Sequence, residues 1–118
     1  MAQIIEIEVP FLISVNKIVK EQPTADTSVT YVLTPKTQLL NAINIYEIDL
    51  VASGSVDVSV AIQHGNTLYQ IYNSSGSQTS FRIQLKAPLF QDETMRIAIT
   101  AATSFTSKIR IITNSFVI

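Results

Sequence analysis

His64 is the only histidine of the chain and the only side chain able to act as a general base near neutral pH. A nucleophilic site would place a hydroxyl and an orienting acid beside it, but the 24 Ser and Thr residues show no distinctive spacing. His64 follows the alternating run VDVSVAIQ, precedes Gly65, and is followed by a second run from Thr67. This context predicts a three-residue hairpin connection with glycine near its apex. We therefore interpret His64 as a turn residue, with a ligand contact as the less favoured alternative.

Two pairs of carboxylates occupy alternate positions of predicted strands. Glu6 and Glu8 form one pair, and Glu47 and Asp49 form the other if that segment is extended. Side chains at such positions lie about 7 Å apart, a separation compatible with glycoside hydrolysis or calcium binding. The calcium-loop pattern D-x-[DN]-x-[DN]-G is absent. We interpret these acidic residues as lying on the solvent-exposed faces of their strands. We predict no catalytic residue, metal site or cofactor.

The three arginines, Arg82, Arg96 and Arg110, each fall on the outward face of a predicted strand. On neighbouring strands they would form a positive stripe able to bind phosphate or carboxylate. The favoured alternative is cross-strand ion pairing within the protein. The acids available for such pairs are Asp57, Glu47 and Asp49.

Composition excludes several classes of function. The net charge is −1 and the eight Lys and Arg residues are scattered along the chain, which argues against nucleic-acid binding. There is no cysteine, so disulfides, thiolate nucleophiles and cysteine metal sites are all excluded. With one histidine and no catalytic motif, we predict that the protein is not an enzyme.

The low charge of the chain is informative about its surface. Charged residues make up 14% of the chain, against about 25% in ordinary soluble domains. Ser, Thr, Asn and Gln supply 38 residues instead. Such a composition favours a surface partly covered by oligomerisation or by docking on a larger assembly, although an isolated domain of low charge is also compatible with it.

No targeting or membrane segment is expected. The first three residues carry no basic charge, and Glu6 and Glu8 interrupt the apolar run that follows. No stretch approaches the ~18 apolar residues of a transmembrane helix. The length of 118 residues predicts a single domain, 1–118, with no internal linker.

The strands are predicted by side-chain type and by periodicity. Ile, Val and Thr account for 39 residues against eight Leu, and branched side chains favour pleated sheets. Apolar and polar residues alternate in the runs IEIEV, VDVSVAI, FRIQL and MRIAI, as in half-buried strands. Turn signals separate them at 53–54, 64–66, 73–77 and 91–93. We predict an all-β fold, an antiparallel β-sandwich of jelly-roll type with about nine or ten strands.

Residues 34–46 are ambiguous. Thr34 could cap a helix that begins with Pro35. The alternation from Asn41 favours a strand instead, with a β-bulge at Tyr46 and Glu47 to explain the change of phase. We favour the strand.

The N-terminal run IIEIEVPFLISV is the strongest candidate for a contact surface. Ile4 and Ile5 are adjacent, so in a strand their side chains point to opposite faces of the sheet. A sheet with one solvent-exposed face therefore cannot bury both. Residues 3–9 and 11–19 are expected to meet at a bend at Pro10. We consider 1–22 a possible N-terminal strand or arm used between subunits, and a strand inside its own sandwich is equally compatible. The candidate interface residues here are Ile4, Ile5, Ile7, Val9 and Phe11.

Tyr69 and Tyr72 are further candidate interface residues. They lie with amide side chains beyond His64, on opposite faces of a predicted strand. Aromatic platforms with amide partners would suit a carbohydrate, but the chain has no Trp. A tyrosine with one wet end suits a protein interface, which we favour.

From Tyr31 to Ile118 the order of segments follows a pattern. YVLTPKTQ precedes AINIYEIDLVASG, VDVSVAI and a middle hairpin, and KAPLFQDETMRIAIT precedes the closing strands KIRIITNSFVI. This order, over about three-quarters of the chain, resembles small virion proteins of tailed phages, the head decoration or cement proteins and related jelly-roll modules. The usual version has glycine after the proline and Gly-Asp in the later turn, where this chain has Lys36 and Asp92-Glu93. The resemblance carries over no functional residue.

The resemblance implies a non-enzymatic protein, made in the host cytoplasm and located in the virion, that docks on capsid or other virion proteins as a homo-oligomer, commonly a trimer. We therefore expect a structural virion protein, a capsid decoration or cement protein, with no nucleic-acid or membrane partner. The alternative is a carbohydrate- or receptor-binding β-sandwich module of the phage tail or fibre type, with a glycan as ligand.

Overall fold

The computed structural model describes residues 3–36, 40–74 and 76–117, which form eight β-strands and no helix. The strands are β1 (Gln3–Val9), β2 (Asn16–Glu21), β3 (Asp26–Pro35), β4 (Asn41–His64), β5 (Thr67–Asn73), β6 (Gln78–Leu89), β7 (Glu93–Phe105) and β8 (Ser107–Val117). No helix among these residues is long and apolar enough to cross a membrane.

The strands form two sheets joined by the long strand β4. Sheet A has the order β1-β3-β7-β4-β5, and sheet B has the order β6-β4-β8-β2. Residues 41–52 of β4 pair with β8 in sheet B, and residues 57–64 pair with β7 in sheet A. Strand β1 runs parallel to β3, and every other pair is antiparallel. The prediction of an all-β sandwich is confirmed, but the fold is not wholly antiparallel as predicted, because β1 pairs in parallel with β3.

The chain passes between the sheets twice at neighbouring positions. β4 crosses at 52–56, and β7 gives way to β8 through the single residue Thr106. The two crossings are tied together, since Ser53 N–H donates to the Thr106 carbonyl and Thr106 N–H donates to Ser53 Oγ, both at 2.9 Å. The predicted turn at Ser53 and Gly54 is wrong, because the small residues there let one strand bend instead of ending it. Two predicted strands merge, so the described residues contain eight strands instead of nine or ten.

The core lies between the two sheets. Alternate residues of each strand point inward, such as Met95, Ile97 and Ile99 of β7 and Ile109 and Ile111 of β8, all with no exposed surface. One apolar cluster combines residues from both sheets. Burial of each such side chain contributes about 2 kcal/mol, and this burial selects the register that the alternation predicts.

The N-terminal segment belongs to the sandwich. Ile5, Ile7 and Val9 point into the core of their own chain, while Ile4 faces outward and is 59% exposed. The prediction of Ile5, Ile7 and Val9 as intersubunit contacts is therefore corrected, because parallel pairing with β3 turns them inward. β2 begins only at Asn16, later than expected, and pairs with β8. Residues 3–9 and 16–21 are thus strands of the two sheets and not a separate arm; residues 1–2 lie outside the described part.

The ambiguous segment is a strand from Asn41. The pairing of β4 with both neighbours shifts register between Ile45 and Glu47, which leaves Tyr46 as the bulged residue. The predicted bulge is confirmed. Thr34 and Pro35 end β3, and residues 37–39 lie outside the described residues.

Candidate functional site

His64 closes the hairpin between β4 and β5. It pairs with Thr67, so the loop has two residues, Gly65 and Asn66, and not the predicted three. Gly65 has a φ of 60°, as at the first loop position of a type II′ turn. The imidazole is largely exposed, and its Nδ1 lies 3.6 Å from Glu93 Oε2. His64 is thus the last residue of β4 and flanks the predicted hairpin turn, outside the loop itself.

Glu93 itself closes the turn between β6 and β7. Its N–H donates to the Phe90 carbonyl at 3.2 Å, and its Oε1 accepts from Phe90 N–H at 2.9 Å. Asp92 has a φ of 70°, a conformation that aspartate adopts more readily than most residues. The polar turn predicted at Asp92 and Glu93 is confirmed, and its geometry gives Glu93 a structural role.

The predicted carboxylate pairs lie on outer faces of different sheets. Glu8 forms an ion pair with Lys36 at the end of β3, and both side chains are exposed. Glu47 accepts a hydrogen bond from Gln84 Nε2 at 3.3 Å. Among the described residues, no three His, Asp or Glu side chains come together to hold a metal ion.

Two of the three arginines meet on the outer face of sheet B. Asp49 lies opposite Arg82 of β6 on one side and opposite Arg110 of β8 on the other. Arg82 Nε is 3.4 Å from Asp49 Oδ1, and Arg110 Nε donates to Oδ2 at 3.1 Å. Arg96 lies in sheet A, where it donates to Gln63 Oε1 at 3.4 Å. Ion pairing, the favoured alternative, is confirmed for Arg82 and Arg110.

This row of charges sets the pKa of Asp49. Partial burial alone acts to raise the pKa, but the hydrogen bonds and positive charge of Arg110, with the charge of Arg82, outweigh it. The pKa of Asp49 is therefore lower than its ordinary value of 3.8. The carboxylate is ionised at neutral pH and orients both guanidinium groups across the sheet.

A shallow cleft of about 770 Å³ lies over this row. Its walls combine apolar and cationic side chains around Asp49. They are Val19, Leu50, Val51, Ser80, Phe81, Arg82, Lys108 and Arg110. Arg82 and Arg110 are already paired with Asp49, so we interpret the charged residues of the cleft as a structural ion-pair network. The lining residues together carry a small net positive charge.

A buried polar cluster holds the end of the sandwich where the chain crosses between sheets. The Tyr31 hydroxyl bonds with Ser107 Oγ at 2.8 Å, and Ser107 Oγ donates to Gln22 Oε1 at 2.8 Å. Gln22 Nε2 donates to the Phe105 carbonyl at 2.8 Å. Burial, the largest influence, raises the pKa of Tyr31, and the Ser107 hydrogen bond opposes this only in part. These groups satisfy each other and stabilise the crossing.

The opposite end of the sandwich carries many exposed apolar side chains. Seven large apolar residues there are between 40% and 69% exposed. They are Leu12, Ile13, Val15, Leu40, Phe90, Phe116 and Val117, and we call this group the apolar end. The loops at the other end, 22–25, 52–56 and 76–77, contain mainly small and polar residues.

Backbone pairing brings the apolar end together. Leu12 N–H donates to Ser115 Oγ at 3.0 Å, and the Leu12 carbonyl accepts from Ser115 N–H at 2.7 Å. Asn41 pairs with Val117, which places Leu40 beside the end of β8. The β1–β2 connection thus follows the last residues of β8, and its apolar side chains face solvent. Phe11, a predicted contact residue, is half-buried in this connection.

The predicted tyrosine contacts lie on β5, an edge strand of sheet A. Tyr69 pairs with Ile62 and Tyr72 with Val60, and both partners face the core side of β4. The prediction that the two tyrosines occupy opposite faces is wrong, because a register shift between Val60 and Ala61 adds one residue to β5 and returns Tyr72 to the face of Tyr69. Tyr69 is exposed, whereas Tyr72 packs partly against the core.

Sequence comparison finds no protein-family model and no curated protein that matches this chain. Solved structures show the fold. The pre-peptidase C-terminal domain of a collagenase from Bacillus anthracis superposes with a TM-score of 0.51 at 8% identity, over 98% of this chain and 97% of that one. At that identity the likeness supports a β-sandwich and no particular function.

Two other solved structures show a weaker likeness. The insecticidal delta-endotoxin Cry8Ea1 from Bacillus thuringiensis gives a TM-score of 0.41 at 14% identity, over 83% of this chain and 19% of that one. The lysozyme inhibitor PliG from Aeromonas hydrophila gives 0.39 at 12% identity, over 97% of this chain and 100% of that one.

Part of the apolar end was missed by sequence reasoning. The run FLISV after Pro10 belongs to the N-terminal candidate contact segment, but Phe11 is its only residue predicted as a contact, whereas Ile13 and Val15 are among the most exposed apolar residues. The available signal was the absence of alternation in FLIS, which is untypical of a half-buried strand. Phe116 and Val117 carry no such signal, because their exposure depends on which strand ends lie beside them.

Proposed function

We propose that this protein is a non-catalytic β-sandwich module that docks on a larger protein assembly through its apolar end. The observation that carries the proposal is the gathering of seven exposed apolar side chains at one end of the molecule. Exposed apolar side chains gathered in one region of the surface are typical of interaction sites in soluble proteins. The side chains emerge from strands and from a connection hydrogen-bonded to β8, so the surface is largely preformed.

Three further features support docking over catalysis. The only histidine is exposed at a hairpin, and its Nδ1 lies 3.6 Å from the turn acid Glu93. The charged row at Asp49 is internally paired. The low charge of the chain also favours a surface that is partly covered. The virion is the setting that the phage resemblance implies, and a capsid or tail protein would then supply the complementary apolar surface.

The experiment measures attachment to particles. Tailed-phage particles assembled without this protein are purified and mixed with the purified protein. We expect the wild-type protein to sediment with the particles, and the double variant Ile13→Ser, Val15→Ser to lose at least about tenfold in affinity, since each serine removes roughly 1.5 kcal/mol of apolar contact. Val51→Ser is the matched control, because Val51 is also more than half exposed but lies outside the apolar end.

Equal binding of the double variant and the control would overturn docking through the apolar end. Failure of the wild-type protein to bind any particle would overturn the virion setting. Thermal unfolding of all three proteins shows that the substitutions leave the fold intact, as expected for side chains that are more than half exposed.

A carbohydrate-binding module is the second candidate. The observation that favours it is the bulge that brings Tyr69 and Tyr72 to one face of β5, with Tyr69 exposed. Stacking of a sugar on an aromatic ring needs such an accessible face. Binding on a glycan array that is abolished by Tyr69→Ala, and retained by the apolar-end variant, would favour this candidate over docking.

A further inference from the structure

The two sheets have four edge strands, and three of them carry the features that prevent pairing with other chains. Charged side chains, especially lysine, and proline on an edge strand discourage the addition of another strand. β1 carries Glu6 and Glu8; β2 carries Lys17, Lys20 and Glu21; β6 carries Arg82, Lys86 and Pro88. β5, with the sequence TLYQIYN, has no charge and no proline.

β5 is also the most exposed apolar edge. Every residue except Tyr72 is exposed, and the exposed fractions are 59% for Leu68, 58% for Tyr69 and 42% for Ile71. Uncharged segments of this length that are rich in β-branched and aromatic residues pair readily with other strands. An edge of this kind is either an interface or an aggregation hazard.

The hairpin defines which backbone groups of β5 are free. His64 and Thr67 flank a two-residue loop, so they form a hydrogen-bonded pair, and the pattern alternates along the strand. The N–H groups of Thr67 and Tyr69 therefore point to β4, while those of Leu68 and Gln70 point away from the sheet. β4 is the strand with which β5 pairs among the described residues, so these outward groups meet no strand of the same chain.

We propose that β5 pairs in antiparallel fashion with β5 of a second copy of this chain, about a two-fold axis at Tyr69. In this register, Leu68 and Gln70 of one copy form hydrogen-bonded pairs with Gln70 and Leu68 of the other. Tyr69 lies opposite Tyr69 of the second copy in a non-hydrogen-bonded pair, where side chains approach most closely. Sheet A then continues through both copies.

Two observations support a second copy as the partner. In a two-fold pair, β5 of one copy lies against β5 of the other, so a charged residue on the strand would lie close to the same charge on the second copy. β5 carries no charged residue, so this repulsion does not arise. The register shift between Val60 and Ala61 confines the regular edge to residues 67–70, which prevents slippage to other registers. This pairing uses a surface other than the apolar end and does not depend on the docking proposal.

Oligomeric state is the first test. Light scattering after size exclusion should give the wild-type protein twice the mass of the 13.0 kDa chain. The double variant Leu68→Lys, Gln70→Lys places like charges opposite each other in the pair, and we expect its dimer dissociation constant to rise at least tenfold. The matched control is Gln84→Lys, on the exposed side of edge strand β6 and next to Glu47, which should remain dimeric. A monomeric or trimeric wild type, or a double variant that dimerises as well as the control, would overturn the proposal.

The register provides a second test that does not depend on weakening the dimer. The chain has no cysteine, so Tyr69→Cys introduces a single thiol. Opposite residues in a non-hydrogen-bonded pair have Cα atoms about 4.5 Å apart, within disulfide range. Mild oxidation should cross-link Tyr69→Cys rapidly into a dimer, and Gln84→Cys at least tenfold more slowly. Equal rates for the two variants would contradict the pairing, whatever the effect of the lysine variants.

Discussion

Arg110 on β8 lies directly opposite Asp49 on β4 and donates to one of its carboxylate oxygens, Oδ2, through both Nε and Nη2. The Asp49 side chain is only 16% exposed, so its charge depends on this guanidinium and on Arg82. These ion pairs join β4 to its neighbours β6 and β8 through side chains, in addition to the backbone hydrogen bonds.

Loss of this pair should destabilise the fold. We expect Arg110→Gln to lower the free energy of unfolding by about 1–2 kcal/mol, between the values for exposed and buried ion pairs, because a largely buried carboxylate loses its main partner. Urea denaturation measures the change. Arg96→Gln is the matched control, since Arg96 makes one long hydrogen bond at 3.4 Å, and it should change stability by less than about 0.5 kcal/mol. Equal effects of the two substitutions would contradict this role of Arg110.

The lowered pKa of Asp49 predicts a pH dependence. The folded state holds the proton less tightly than the unfolded chain, so the pair adds stability above the ordinary pKa of 3.8. That stability is lost as the pH falls through the lower pKa of the folded state. The difference in unfolding free energy between the wild type and Asp49→Asn should therefore be constant from pH 7 to about 5 and shrink below about pH 4. A difference that stays constant down to pH 2 would rule out the linkage.

Tyr31 should ionise at a higher pH than an ordinary tyrosine. Burial raises its pKa above the ordinary value of 10.0, so the neutral hydroxyl stabilises the fold at lower pH, and this stability is lost as the pH rises from 10 through the folded pKa. In an absorbance titration of the four tyrosines, one should ionise late or only with unfolding. Tyr31→Phe should remove that late phase and lower stability at pH 7 by about 1 kcal/mol, the value of one hydrogen bond. Persistence of the late phase in the variant would assign it to another tyrosine.

The β4–β5 hairpin should depend on its glycine and not on its histidine. Gly65 has a positive φ, and a side chain there costs about 1 kcal/mol, although no atom lies within 4 Å of the position of a Cβ. His64→Ala removes an exposed side chain with one contact at 3.6 Å and should change stability by less than about 0.5 kcal/mol. Thermal unfolding of both variants tests this pair of expectations, and a larger loss in His64→Ala than in Gly65→Ala would refute the turn interpretation.

Much of the fold was predictable because it depends on local alternation. Residues such as Ile97 and Ile99 are spaced so that one face of their strand is apolar, and burying that face determines the strand and its inward side. The phase slip at Tyr46 could also be predicted, because a bulge is the local way to keep apolar residues facing inward on both sides of it.

The candidate surfaces were only partly predictable. Asp49, Arg82 and Arg110 could each be placed on an outer face, but their meeting depends on β4 lying between β6 and β8. The sequence could not show whether Ile5 is buried or exposed, because its burial depends on the pairing of β1 with β3. In that pairing Ile5 lies opposite Tyr31, 26 residues later in the chain. The exposure of Phe116 likewise depends on the strand ends around it.

Alternation in the sequence therefore determined that this protein is made of strands and which side of most of them is dry. Tertiary structure alone decided that β4 continues through Ser53 and Gly54 into a second sheet, and that an extra residue in β5 returns Tyr72 to the face of Tyr69. The physical reason is that the facing of a side chain is set within one strand, whereas strand order, bends and bulges are set by burial and hydrogen bonding between segments distant in sequence.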